Sequence, residues 1–83
     1  MNESGIIAAC ISGDRSAQRA LFEQYADGML LLCMRYLPQR EEAEEAMLNG
    51  FFRLFRSLQE FRNVHEHSFS AWIRKIMILE CLF

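Results

Sequence analysis

Pro38 is the only proline in the chain, and on both sides of it apolar residues recur every three or four positions. Before it stand Ala17, Leu21, Tyr25, Met29, Leu32 and Tyr36; after it stand Ala43, Met47, Gly50, Phe51, Leu54 and Leu58. That spacing places each set on one face of a helix. Proline lacks an amide hydrogen and clashes with the preceding turn, so the two helices cannot be one. No run shows the two-residue alternation of a strand. The fold class expected is all-α: a small compact bundle of three to four helices forming a single domain over residues 1–83.

Local signals set the boundaries. A short helix is expected over residues 3–11. Ser12-Gly13 ends it, with Gly13 free to take the left-handed position. Asp14 is a good N-cap for a second helix, Arg15 to about Leu37. Gly28 lies inside that helix and marks a bend or a close crossing. A third helix is expected from about Arg40 to Leu58, its four early Glu suiting the positive end of the helix dipole. A loop of roughly Gln59–His67 follows. Ser68 then reads as the N-cap of a fourth helix running from Phe69 towards the end.

The 83 residues are 52% hydrophobic, enough for one small core. No stretch of about 18 apolar residues is present, so no membrane span is expected. The first residues lack a basic segment followed by an apolar one, so no secretion signal is read there. The three cysteines, Cys10, Cys33 and Cys81, are odd in number, widely spaced and set among apolar neighbours. They fit packing in a reduced cytoplasmic protein rather than a disulfide or zinc framework.

Net charge is −2, unevenly spread. Residues 1–50 hold four Arg against eight Asp or Glu; residues 51–75 hold four Arg and one Lys against two Glu. Two readings stand: two different partner surfaces, or a solubilised helical exterior. On a wheel of about 100° per residue with Met47 at zero, Leu48 falls near about 100° and Phe52 near about 140°. Both lie among Glu41, Glu45, Asn49 and Arg56, away from the core stripe. They form either a binding patch or a second packed face. Phe69 and Trp72 share one face of the fourth helix, and Arg74 and Lys75 follow. Aromatic rings near cations suit unpaired bases, with rings stacking and cations meeting phosphate; the same spacing also suits a core. His65 and His67 flank Glu66 without a further ligand set, so no metal site is expected. No nucleophile–base pair or phosphate loop is present, so neither an enzyme nor a cofactor is expected.

An ordered set of motifs carries more. Gly13-Asp-Arg-x-Ala17, Leu21-Phe-x-x-Tyr25, Glu41-Glu-Ala-Glu-Glu45, Gly50-Phe and Ser68-Phe-x-x-Trp-Ile-Arg-Lys-Ile76 follow one another across nearly the whole chain. Together they resemble region two of the extracytoplasmic-function (ECF) sigma factors, most closely those of Bacteroidetes-type bacteria. The resemblance implies a helical transcription initiation domain. It implies that Glu42, Glu45, Leu48, Asn49 and Phe52 face the clamp helices of core RNA polymerase. It implies that Arg62, Asn63, His65, Ser68, Phe69, Trp72, Arg74 and Lys75 lie at the promoter −10 DNA and aid its melting. An anti-sigma factor is a further implied partner.

The chain also departs from the family. Where the family usually reads Ala-Glu-Asp-x-x-Gln-Glu, it reads Ala43-Glu-Glu-Ala-Met-Leu48-Asn49. Leu79 stands where an Asn is usual. The loop is one or two residues longer, and no region four, the promoter-reading helix-turn-helix domain, is expected in the chain. These departures imply a greasier third-helix face with fewer hydrogen bonds. They leave a second function open: a sigma-like adaptor or homo-oligomer that has lost promoter reading. If Leu48, Phe52, Leu82 and Phe83 are exposed, the domain is expected to self-associate.

Overall fold

A computed structural model describes residues 3–62 and 67–83. Four α-helices run in order: α1 Glu3–Ile11, α2 Arg15–Tyr36, α3 Arg40–Ser57 and α4 Ser68–Leu82, with a 3-10 turn Leu58–Glu60 after α3. Among the described residues there is no strand.

The corner between α1 and α2 is built by three consecutive residues. Gly13 takes φ +93°, where a side chain would be strained. This turns the chain so that the Asp14 amide donates to the Ala9 carbonyl. Asp14 Oδ1 then accepts from the amides of Ser16 (2.9 Å) and Ala17 (3.2 Å), two of the four orphan donors of α2. Gln18 reaches back and donates to the Cys10 carbonyl. Tyr25 donates its hydroxyl to Glu3, so α1 is held at both ends. Burial first, and that bond second, push the Tyr25 hydroxyl up to about 12. At the other end of α2, Leu37 is extended, as the residue before a proline prefers.

The core lies where α2, α3 and α4 meet, with α1 laid across α2. From α3 it takes Ala43, Ala46, Met47, Gly50, Phe51 and Leu54, followed by Leu58. From α4 it takes Ser68, Phe69, Ile73, Ile76 and Met77. Cys10 and Cys33 are buried and Cys81 half-buried, and all three thiols are free. Burial, and next a hydrogen bond to Cys81, push the Cys33 thiol up to about 12.

Several expectations need correction. Tyr36 is 43% exposed; Cys33 fills the core instead, because the helix turns past the stripe before Pro38. Gly28 is exposed, and a Cβ there would meet nothing within 4 Å, so it marks no crossing. The close crossing is at Gly50, where a Cβ would fall 2.4 Å from Met77 Sδ. Helix α3 ends at Ser57, and Gln59–Glu60 belong to the 3-10 turn rather than to a loop. Ser68 is the first residue of α4, buried against the bundle, while His67 occupies the cap position without a side-chain bond.

Candidate functional site

The outer face of α3 follows from its inner one. With Met47, Gly50, Phe51 and Leu54 turned inwards, Glu41, Glu45, Leu48, Phe52 and Arg56 fall on the opposite arc. All five are exposed, Leu48 by 52% and Phe52 by 65%. The Arg56 guanidinium sits 5.4 Å from the centre of the Phe52 ring, a cation–π distance that places the charge beside the apolar pair. Glu42 and Asn49 are exposed on the flank facing α4. There Arg53 Nε donates to Glu80 Oε2 at 2.8 Å, joining α3 to α4. Shallow grooves run along this flank, lined by Glu42, Glu45 and Phe83 at one end and by Phe52, Arg56 and Glu60 at the other, with Asn49 and Glu80 common to both. The five residues expected at the polymerase face thus form one surface.

The second set lies at the start of α4. Phe61 leaves the 3-10 turn and meets Trp72, with ring centres 5.0 Å apart. Behind them Phe69 takes edge contacts from Phe61 (5.2 Å) and Tyr25 (5.5 Å). A cleft of about 400 Å³ opens in front of the pair, lined by Glu60, Phe61, Arg62, Ser68, Ala71, Trp72 and Lys75. Arg62 and Lys75 bring positive charge to its rim, and both are exposed. Arg62 Nη1 also donates to the carbonyls of Gln59 and Phe61, which holds its guanidinium against the 3-10 turn.

The expected nucleic-acid residues divide here. Arg62, Ser68, Trp72 and Lys75 line the cleft. Arg74 is exposed but lies outside that lining. Phe69 is 1% exposed, so its ring has no face to offer a base; it supports Trp72 from beneath. Asn63 and His65 lie outside the described residues. Phe61 was not among the expected contacts, yet it forms one wall. Its signal was an aromatic at the mouth of a polar segment, three residues after Leu58. No group of three or more possible metal ligands occurs among the described residues. No described helix is long and apolar enough to cross a membrane.

Two surfaces result. One is an apolar pair between acidic and basic ends. The other is a half-open aromatic wall with cations on its rim. The family model described as Sigma-70 region 2 matches residues 21–82, which takes in α3, α4 and most of α2. Comparison with curated proteins and with solved structures gives no match. On the match over residues 21–82, the chain belongs to the sigma-70 region 2 family.

Proposed function

We propose that the domain is of the ECF type and works in the cytoplasm, binding core RNA polymerase through α3 and promoter −10 DNA through the cleft at the start of α4. Family membership carries a sigma-factor-like role in transcription initiation. The observation that supports the finer reading is the outward arc of α3: Leu48 and Phe52 stand uncovered between acidic and basic neighbours. Glu42, Glu45 and Asn49 supply polar contacts at its rim, where interfaces are usually polar. Trp72 and Phe61 supply a wall for an unpaired base, and Arg62 and Lys75 supply phosphate contacts.

Isolated clamp helices of core polymerase test the first contact. The wild-type chain is expected to bind them, and Leu48→Asp or Phe52→Asp to abolish binding. A chain whose affinity survives both changes would remove α3 from the interface. For the cleft, affinity for a single-stranded −10 oligonucleotide is expected to fall with salt, because each phosphate contact releases counterions. Arg62→Glu with Lys75→Glu should remove it; unchanged affinity counts against this site. The adaptor reading keeps one observation of its own. Leu79, at the position where the family usually has Asn, is 44% exposed, an apolar rather than hydrogen-bonding contribution to the surface.

A further inference from the structure

We infer that the outer face of α3 pairs with a second copy of this chain, antiparallel, about a two-fold axis near Leu48–Asn49. The inference goes beyond the proposed function and does not rest on it. Its basis is the order of residues along one arc: Glu41, Glu45, Leu48, Phe52, Arg56, all exposed. Acids stand at the start, apolar residues in the middle and a cation at the end. A two-fold contact brings each patch onto itself, so residue i meets j and j meets i. Turned antiparallel about the centre, Glu41 of one copy falls opposite Arg56 of the other, and Glu45 opposite Phe52. The Leu48 and Phe52 side chains of both copies then cover one another. A parallel pairing would place Glu on Glu and Arg on Arg, so the charges select one orientation.

The charges are also available. Among the described residues the ion pairs within the chain are Arg19–Glu23, Arg40–Glu44 and Arg53–Glu80; none takes up Glu41, Glu45 or Arg56. Arg56 is held over Phe52, already on the arc. The apolar centre supplies the hold and the ends supply the register, because exposed ion pairs contribute little alone. The paired face is the one assigned above to polymerase, so a dimer would conceal it.

Sedimentation equilibrium of the 83-residue chain, from micromolar to millimolar, tests this. A concentration-dependent dimer is expected, weaker at high salt. Glu41→Arg with Glu45→Arg, or Arg56→Glu, puts like charges opposite one another. Each variant alone should associate about tenfold more weakly or not at all. Mixed in equal amounts the two variants are complementary, and the mixed dimer should form again. Far-UV circular dichroism should show the helix content of wild type, since all three positions are exposed. A wild-type chain that stays monomeric overturns the inference. So does a mixture no more associated than its components. Association that survives both charge swaps but is lost in Leu82→Ser with Phe83→Ser would place the contact elsewhere and also overturn it. None of these readouts involves polymerase, so failure here leaves the proposed function standing.

Discussion

Phe52 and Phe69 are the same residue on neighbouring helices, and they meet opposite fates. Phe52 is 65% exposed on α3; Phe69 is 1% exposed in α4. The difference lies in what occupies the inner face of each helix. In α3 that face is filled by Met47, Gly50, Phe51 and Leu54, so Phe52 is turned out by the helical angle alone. In α4, Phe69 begins the inner face, four residues before Ile73, and Tyr25 and Phe61 close over it. Helical aromatics are thus read by their angle to an established stripe, not by the charges beside them.

The sharpest way to break that comparison is to truncate both rings. Phe69→Ala is expected to cost about 4 kcal/mol in chemical denaturation, as a buried ring does when its cavity cannot collapse. In protein dilute enough to be monomeric, Phe52→Ala should stay within about 0.5 kcal/mol of wild type. Equal losses would mean that Phe52 is covered in solution.

A smaller effect is expected at the crossing that holds the two helices at this distance. Gly50→Val drives a side chain into Met77 and should cost about 2 kcal/mol, the usual range for overpacking. Gly28→Ala, with open space around it, should instead stabilise by about 0.5 kcal/mol through helix propensity. The two glycines then separate a packed face from a free one, as the two phenylalanines do.

The smallest effect sharpens the support beneath Phe69. Tyr25 ionises near 12 when folded, against 10 for the ordinary group. Its neutral form is favoured in the fold, so that contribution is intact below pH 10 and is lost as pH rises from 10 to 12. Thermal stability should fall across that window, and Tyr25→Phe should flatten the fall. Cys33, also raised, adds to the alkaline loss, so the comparison is made in the Cys33→Ala background.

Much of the fold was legible because it is local. Gly13, Asp14 and Pro38 act on their immediate neighbours, and each stands in the conformation its chemistry prefers. The α3 stripe was legible because a long, strongly amphipathic helix has one consistent angle. The outward arc of the candidate site followed from it. What was not legible depended on contacts made from other elements. Phe69 joins the core because Tyr25 and Phe61 arrive from α2 and the 3-10 turn. Gly50 rather than Gly28 is the crossing because α4 packs on α3 there. Ser68 is drawn into the bundle rather than left as a cap. Phe61 became a wall of the cleft only once Trp72 was beside it.

Met77 has a chemical consequence. Its sulfur rests directly on the bare backbone of Gly50 and is fully buried. Oxidation to the sulfoxide would add a polar oxygen where even a methyl group does not fit. Peroxide can therefore reach that sulfur only when α4 lifts from α3. The rate at which Met77 gains oxygen, read by peptide mass, becomes a clock for that opening, with the half-buried Met34 as the internal standard.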